Sequence, residues 1–372
     1  MGDMTEKEIS LSVTHQEKKR TADAMVGDED DSDLQSPDKK RTHFIEISNM
    51  SIPSTKDLDT EFPKLKCRTK GGYIEAKFDD SQMCDGYIAD IYDYLHNMEK
   101  EAKRRPLLDY MEKIQTDVTA NMRGVLVDWL VEVLGVYKLQ PETLYLSVSY
   151  IDKFLSINRI NTQSLQLLGV SSLLIASKFE ESNPPISVDD MCYITDYTYI
   201  NEEVVKMESD ILKSLKFEVS NPTVLTFLRR FARISEEDCK YPNSKFELLG
   251  YYLAELSLVD YCCLMFLPSM IASSVVFLSR FISHPDKYPW NANLEKYSGY
   301  KAADLRECVV LIHELYWGKR GGSYVAIKQK YMQNKFKYVG LRSGPVEIPS
   351  LYFEEMGVSE FLNVQFGCHW SG

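Results

Sequence analysis

The chain has 372 residues, of which 44% are hydrophobic and 26% charged, an ordinary composition for a soluble protein of two or three domains. Its net charge of −12 argues against a general nucleic-acid binder or a protein of anionic membranes, because both need extended basic surface. The eight cysteines lack paired spacings, which predicts reduced thiols in an intracellular compartment.

Residues 1–85 form the first segment, which is rich in charge, serine and threonine and poor in periodic apolar positions. This composition predicts a disordered regulatory tail. Within it, Ser36 precedes Pro37 and fits a proline-directed phosphorylation site. Basic clusters at residues 18–20 and 39–41 fit nuclear import signals, so we expect the protein in the nucleus and the cytoplasm.

Residues 86–120 are the next segment, predicted to hold one helix and a linker. Apolar side chains recur there at helical spacing, and the pattern stops at Pro106. The apolar positions are Ile88, Ile91, Tyr92, Leu95 and Met98. We therefore predict a helix that ends at Pro106.

From residue 121 onward, helical segments alternate with turn signals, which predicts an all-α fold.

The pattern of apolar and small residues also repeats along the chain. SSLLIASKF at residues 171–179 matches SSVVFLSRF at 273–281, an offset of 102 residues. The same offset carries residues 144–156 onto 246–258, with apolar positions matching apolar positions. Equal offsets predict two structural copies of one helical unit.

The repeat also predicts the domain boundaries. We expect the first copy at residues 121–220, the second at 221–342 and a C-terminal tail at 343–372. Small residues in the matched helix allow neighbouring helices to pack closely around it. We therefore expect that helix at the buried centre of each copy.

The segment NMRGVLVDWLVEV, residues 121–133, carries more apolar surface than one core needs. At about 100° per residue, two of its sides are apolar. The first side consists of Met122, Val125, Leu126, Trp129 and Val133. We expect one side to face the domain core and the other to be covered by a further helix or open to a partner.

Arg123 falls on the second apolar side of this segment, among Leu130 and Leu134. A buried and unpaired arginine is strongly destabilising, so it needs a carboxylate. Asp152 lies beside the apolar stripe of the next helix. We predict an Arg123–Asp152 ion pair that fixes the register of the two helices.

Residues 261–279 run without a charge and approach the length of a membrane span. Pro268 splits the run, and serines recur through its longer part. A helix that is apolar all round is equally the central helix of a large domain. We favour the central helix over the membrane span.

Four motifs, in order, resemble the cyclin box of an A-type cyclin. They are MRGVLVDWLVEV at residues 122–133, YIDKFLS at 150–156, LLIASKFEE at 173–181 and YITDYTY at 193–199. The second copy, from PTVLTFLRRF at residue 222, resembles the C-terminal cyclin box. The tail VEIPSLYFEE is similar to the end of the shorter subclass of plant A-type cyclins.

This resemblance implies two five-helix bundles and a non-catalytic regulatory subunit without cofactor or metal. Such a subunit forms a heterodimer with a cyclin-dependent serine/threonine kinase, activates it and controls progression through S phase or G2/M. The helix at residues 88–98 would pack against the kinase as well. The implied kinase-facing residues are Ile175, Lys178, Phe179, Glu181, Glu208, Leu212 and Phe217.

The resemblance also implies a groove for RxL-type peptides of substrates and inhibitors, in which Glu132 meets the peptide's arginine. We call the following set the docking groove: Met122, Val125, Leu126, Trp129, Glu132, Leu165 and Gln166. Val125 stands where cyclins more usually have isoleucine, and Gly124 where they have alanine. Both smaller residues predict a slightly wider groove.

Two other classes of protein share part of this pattern. A general transcription factor of the TFIIB kind has the same two-copy fold, but the acidic balance and the lack of paired zinc-ribbon cysteines argue against it. An all-α enzyme would use the aspartates at residues 30–33 as a metal motif. That run lies in the predicted tail, which holds no metal geometry, and the chain has no glycine-rich phosphate loop.

Overall fold

The computed structural model describes most of the chain after the predicted tail. The described residues are 87–182, 185–236, 244–321, 324–341 and 343–354. The predicted tail at residues 1–85, with Ser36 and both basic clusters, lies outside them. Helices, short 3-10 turns and irregular connections make up the described residues, which contain no strand. The predicted all-α class is confirmed.

Thirteen α-helices follow one another in the described part of the chain. They are α1 (Ile88–Met98), α2 (Tyr110–Lys113), α3 (Ala120–Tyr137), α4 (Pro141–Leu155), α5 (Leu165–Glu180), α6 (Val188–Ile194), α7 (Asn201–Ser214), α8 (Val224–Glu236), α9 (Ser244–Val259), α10 (Pro268–Ser283), α11 (Ala292–Ser298), α12 (Ala302–Trp317) and α13 (Ala326–Tyr331).

Helices α3–α7 form a first five-helix repeat, and α8–α12 form a second. α5 packs against each of the other four helices of the first repeat, and α10 does the same in the second. These two helices contain the stretches that match at the 102-residue offset. Their serines are fully buried and small enough to let neighbours approach: Ser171, Ser172, Ser177, Ser273 and Ser274. The prediction of two copies with the matched helix at each centre is confirmed.

The charge-free segment at residues 261–279 is divided between a short 3-10 turn, Tyr261–Met265, and the first part of α10. Pro268 occupies the first helical position, where its missing N–H has no intrahelical partner to lose. The segment therefore supplies the central helix of the second repeat. No helix in the described ranges is long and apolar enough to cross a bilayer.

Helix α1 ends at Met98, well before the predicted end at Pro106. The next residue is Glu99, whose carboxylate accepts hydrogen bonds from the backbone N–H and the hydroxyl of Ser269, at 2.9 and 2.6 Å. Ser269 lies in the first turn of α10, where orphan N–H groups and the helix dipole favour a carboxylate. This tertiary contact holds the end of α1 against the start of α10.

Helix α1 covers one face of α8. The hydroxyl of Tyr92 donates to the carbonyl of Thr226, and the His96 ring lies 4.9 Å from the ring of Phe227. His96 also stacks on Phe231. Both phenylalanines are buried.

The 102-residue offset places Phe227 and Phe231 at the positions that Val125 and Trp129 hold in α3. Val125 is 39% exposed. The same helical face is thus covered by α1 in the second repeat and left open in the first.

Helices α6 and α7 and the 3-10 turn Asn334–Phe336, which follows α13, each end in a turn in which two successive non-glycine residues have positive φ angles. We call this a paired left-handed turn. The second residue is an exposed aromatic whose N–H bonds to the carbonyl five residues earlier, at 2.8 to 3.4 Å. The pairs are Asp196–Tyr197, Lys216–Phe217 and Lys337–Tyr338.

Candidate functional site

The Arg123–Asp152 ion pair orients α3 on the first repeat. Nε and Nη2 of Arg123 lie 2.6 and 2.7 Å from the two carboxylate oxygens of Asp152. The two side chains are 1% and 2% exposed. The structure forms the pair that the sequence predicted, in the bidentate geometry that gives such pairs both strength and direction.

Two further partners of this pair were not predicted. Nη1 of Arg123 donates to the carbonyl of Leu258 in α9, at 2.7 Å, and the hydroxyl of Tyr110 in α2 donates to Asp152 at 2.9 Å. The pair therefore ties together α2, the first repeat and the second repeat. The sequence predicted that the pair joins two neighbouring helices, and the structure shows that it also contacts α2 and the second repeat.

The docking groove lies on the opposite side of α3. Met122, Trp129 and Gln166 are half-buried beside the exposed Val125. Leu126 and Leu165 are both buried, so they form the floor and offer little surface. A β-carbon added to Gly169 of α5 would lie 2.7 Å from Leu126 Cδ1, which shows how closely that floor is packed.

Glu132 stands at the end of the groove nearest the C-terminus of α3. It is half-buried and forms no hydrogen bond or ion pair with another residue of the described ranges. Burial and the nearby Asp128 carboxylate raise the pKa of Glu132 above its usual value. A partly desolvated, unpaired carboxylate of this kind is suited to receive a cation from a partner.

Asp128 places α13 beside α3. Its carboxylate accepts the backbone N–H groups of Val325, Ala326 and Ile327, at 2.9, 3.1 and 3.4 Å. It therefore caps the N-terminus of a helix that lies beyond the second repeat. The sequence carried a signal for such a contact, since an aspartate inside an apolar helix needs donors when it is buried.

Gly124 does not widen the docking groove, contrary to the expectation from the sequence. A β-carbon at this position would overlap the hydroxyl and ring of Tyr324. Tyr324 precedes α13, and its hydroxyl donates to Oδ1 of Asn121 at 3.3 Å. The space left by the glycine is thus filled by a side chain that sequence reasoning missed.

A second surface lies where α5 and α7 end. We call it the α5–α7 surface and define it by Lys178, Phe179, Glu208, Leu212 and Phe217. Phe179 and Phe217 are exposed, Phe217 by 68%, and Leu212 is half-buried. Nζ of Lys178 lies 2.6 Å from Oε1 of Glu208, so these two charges are paired within the chain. Exposed aromatics beside a charged pair are typical of a protein-binding surface.

Two residues predicted to face a partner have other surroundings. Ile175 is 4% exposed, so it offers almost no contact area to a partner. Oε1 of Glu181 accepts the backbone N–H of Gln140 at 2.7 Å and the hydroxyl of Thr143 at 2.6 Å. Glu181 therefore holds the start of α4, an internal role that the sequence did not indicate.

The linker after α1 is joined to the turn that carries Phe217. Lys103 and Arg104 both pair with Glu218, at 3.2 and 3.9 Å, and Arg104 also donates to the carbonyl of Ser220 at 2.6 Å.

Helix α1 and the residue before it carry a row of exposed apolar side chains one helical turn apart: Tyr87, Ile91 and Tyr94.

Two family models match the chain, one for each repeat. The model for the cyclin N-terminal domain matches residues 90–220, and the model for the cyclin C-terminal domain matches residues 222–344. Together with the doubled five-helix fold, these matches define a protein with two tandem cyclin boxes. The chain belongs to the cyclin family, which decides against the TFIIB-like alternative.

Curated relatives extend the likeness beyond the two repeats. Cyclin-A3-2 of Arabidopsis thaliana is 46% identical over 377 residues, which cover 95% of this chain and 100% of the relative. G2/mitotic-specific cyclin C13-1 of Daucus carota is 53% identical over 332 residues, or 86% of this chain and 97% of the relative. Cyclin-A3-1 of Oryza sativa subsp. japonica is 56% identical over 277 residues, 74% of each chain. The predicted resemblance to the A-type cyclins of plants is confirmed.

Among solved structures, a viral cyclin from herpesvirus saimiri matches with a TM-score of 0.52 at 21% identity. The match covers 59% of this chain and 95% of the viral chain. At this identity the likeness supports the fold of the two repeats.

Proposed function

We propose that this chain is the regulatory subunit of a cyclin-dependent serine/threonine kinase, which it binds as a heterodimer and activates. The observation that carries the proposal is the α5–α7 surface, where exposed Phe179 and Phe217 flank the Lys178–Glu208 pair. Membership of the cyclin family supports the choice of partner. The linker contacts to Glu218 bring α1 to the same side, so its exposed apolar row extends the surface.

Activation requires a preference for one state of the kinase. An active kinase aligns a lysine–glutamate pair and a magnesium-binding aspartate, and this arrangement is a minor state of the free enzyme. A partner that binds the aligned state more tightly shifts the population toward it. In this proposal the chain supplies binding energy through its surface, and the kinase supplies the chemistry.

The docking groove is proposed to recruit RxL-type substrates and inhibitors to the kinase. Met122, Val125 and Trp129 give the apolar surface on which the leucine side chain would be anchored. Glu132, unpaired within the described ranges, gives the carboxylate that an arginine needs. An extended peptide with both side chains would span the groove along α3.

The test is a kinase assay with the purified heterodimer on two peptide substrates that differ only in a distal RxL motif. Met122→Ala combined with Trp129→Ala should preserve activity on the plain peptide and remove the advantage of the RxL peptide. Leu126 is left intact because its truncation would open a cavity beneath α3. Val310→Ala, an exposed apolar residue of α12, is the matched control.

Two outcomes would contradict the proposal. Failure of the chain to form a complex with any cyclin-dependent kinase would remove the regulatory function itself. Equal loss of activity on both peptides in the Met122 and Trp129 variant would show that the groove is structural and recruits nothing.

We also propose a role in S phase or G2/M and residence in the nucleus and the cytoplasm. The basis is family membership together with the basic clusters at residues 18–20 and 39–41. Fluorescent fusions in which one or both clusters are replaced by alanines test the location. Unchanged nuclear signal in the variant lacking both clusters would contradict the import role.

A further inference from the structure

We propose that Arg104, in the linker after α1, is a positioning residue for kinase binding, because it holds the turn that presents Phe217. In this proposal Arg104 does not touch the kinase and acts through Phe217. The proposal rests on the kinase-binding function proposed above and deepens it. The linker joins the apolar row of α1, which is fastened to the second repeat, to the aromatic anchor at the end of the first repeat.

The turn that carries Phe217 has an unfavourable backbone. Lys216 and Phe217 have φ angles of 53° and 58°, in the left-handed region that is disfavoured for residues with a β-carbon. The Phe217 side chain is 68% exposed, so its own packing does little to hold it. Backbone hydrogen bonds close the turn, among them the bond from the N–H of Phe217 to the carbonyl of Leu212 at 2.9 Å. Because the left-handed residues oppose these bonds, we expect the turn to need contacts from other elements.

Two other elements hold the residues that directly follow the turn. Nη1 of Arg104 donates to the carbonyl of Ser220 at 2.6 Å, and its Nη2 lies 3.9 Å from the carboxylate of Glu218. From α4, the hydroxyl of Tyr150 donates to the carbonyl of Val219 at 2.8 Å. The Arg104 side chain is only 15% exposed, so water competes little for its contacts. Arg104 is thus the linker residue bonded directly to the backbone after Phe217.

Arg104 is itself fixed by the way the linker leaves α1. Its Nε lies 2.9 Å from Oε2 of Glu101, and the same carboxylate oxygen lies 3.5 Å from Nζ of Lys103. Two residues before Glu101, the carboxylate of Glu99 is bonded to Ser269 of α10. The docking of α1 on the second repeat therefore sets where Arg104 meets the turn after α7.

A turn held in this way presents Phe217 in one position before a kinase arrives, so binding requires no further ordering of the turn. Without Arg104, we expect the left-handed residues to relax and the binding-competent turn to become a minor state. The apparent affinity falls in proportion to the fraction of chains in the competent state. The same relaxation should expose the N–H of Phe217 to solvent.

Isothermal calorimetry with the kinase tests whether Arg104 acts through Phe217. Arg104→Ala should weaken binding about tenfold, the factor expected when one hydrogen bond of a charged group is lost. In a Phe217→Ala background the same change should weaken binding less than about twofold, because no ring remains to be positioned. Lys100→Ala removes an exposed cation of the same linker and is the matched control, which should bind like the parent. An equal loss in both backgrounds would overturn the inference, since Arg104 would then contact the kinase directly.

Hydrogen exchange of the free full-length chain gives a readout that needs no kinase. In Arg104→Ala, the N–H of Phe217 should lose most of its protection. The N–H of Tyr338 closes the same kind of turn and should keep its protection, which excludes a general loss of stability. Unchanged exchange at Phe217 would overturn the inference. If exchange changes as expected but the parent binds no cyclin-dependent kinase, the proposed function itself is wrong and the positioning role falls with it.

Discussion

Nζ of Lys178 lies 2.6 Å from Oε1 of Glu208, so two charges assigned separately to a kinase partner are already paired in the free chain. The lysine is largely exposed and the glutamate mostly buried. In the free protein such a pair contributes about 0–1 kcal/mol, because water screens it. At an interface that excludes water, truncating one partner costs about 2–5 kcal/mol.

We therefore expect Lys178→Ala and Glu208→Ala to weaken kinase binding strongly and to change unfolding little. Isothermal calorimetry against the kinase and urea unfolding of the free chain measure the two effects. Lys178→Glu combined with Glu208→Lys is the sharper variant, since it keeps the internal pair but presents reversed charges to the partner. Affinity equal to that of the parent in this swapped variant would show that the pair has no role in recognition.

Removal of one member of the Arg123–Asp152 pair is expected to destabilise the fold severely. Arg123→Ala leaves a buried carboxylate unpaired, which costs about 3–5 kcal/mol. The melting temperature should fall by about 10 °C. Lys113→Ala breaks an exposed pair with Asp109 and is the control, with a loss of at most about 0.5 kcal/mol. A variant of Arg123 that melts with the parent would contradict the assignment.

The second repeat indicates how this loss can be reduced. At the 102-residue offset, Leu225 and Ala254 occupy the positions of Arg123 and Asp152, and both are buried. Arg123→Leu combined with Asp152→Ala should therefore be less destabilised than the sum of the two single variants. Thermal unfolding of all three variants measures this coupling. Strict additivity would mean that the two side chains do not interact energetically.

Lys153 makes the stability of the protein depend on alkaline pH. Burial, aided by Arg104 and opposed by Glu218, lowers the pKa of Lys153 from 10.5 to about 8. Between these values the unfolded chain binds a proton that the folded chain has released, so stability rises with pH. The loss of stability caused by the buried charge of Lys153 is thus largest below pH 8 and decreases as the pH approaches 10.5.

Lys153→Met should consequently be more stable than the parent near pH 7, and this gap should narrow between pH 8 and 10.5. Urea unfolding of the parent and of Lys153→Met, near pH 7 and between pH 8 and 10.5, measures the difference between their free energies of unfolding. Groups that titrate in both proteins cancel in this difference. Lys206→Met, at an exposed position of α7, is the control and should show no such change. A difference in stability between Lys153→Met and the parent that is independent of pH would contradict the prediction.

Phe217 combines an unfavourable backbone with a proposed binding role. Its φ of 58° costs a side-chain-bearing residue about 1 kcal/mol, and its side chain is exposed. Phe217→Gly should leave the free chain at least as stable, after the greater unfolded-state entropy of glycine is counted. Kinase affinity should fall by about thirtyfold or more, the loss typical of an interface hot spot.

Tyr338→Gly provides the matched control, because Tyr338 closes the same kind of paired left-handed turn after the 3-10 turn Asn334–Phe336. It should gain similar stability and keep kinase affinity. Urea unfolding and calorimetric titration with the kinase separate the two effects. If both glycine variants retain parental affinity, Phe217 is not part of the interface.

Periodicity predicted the features that depend on one helix or on neighbouring helices. The central positions of α5 and α10 followed from their small residues and apolar faces. The Arg123–Asp152 pair followed because a charge inside an apolar stripe must find an opposite charge nearby. These contacts are local in sequence or enforced by burial, so a single sequence is enough to find them.

Contacts between distant parts of the chain could not be predicted in this way. Tyr324 reaches Gly124 and Asn121 across about two hundred residues, and no helical period links such positions. The carboxylate of Glu99, at the end of α1, accepts hydrogen bonds from Ser269, and that contact depends on how α1 docks on the second repeat. The aspartate at position 128 signalled a need for donors but could not name Val325 and its neighbours.

The covering of α8 by α1 sets the valency of the proposed docking function. A duplicated unit begins with two equivalent faces, but Tyr92 and His96 occupy the one built around Phe227. Of these two faces, the one around Val125 is left open within the described residues. In the proposed docking function, the pair of faces therefore gives one site for docking peptides. A substrate with two motifs therefore gains no chelate effect from a single heterodimer, and avidity requires two heterodimers held on the same substrate.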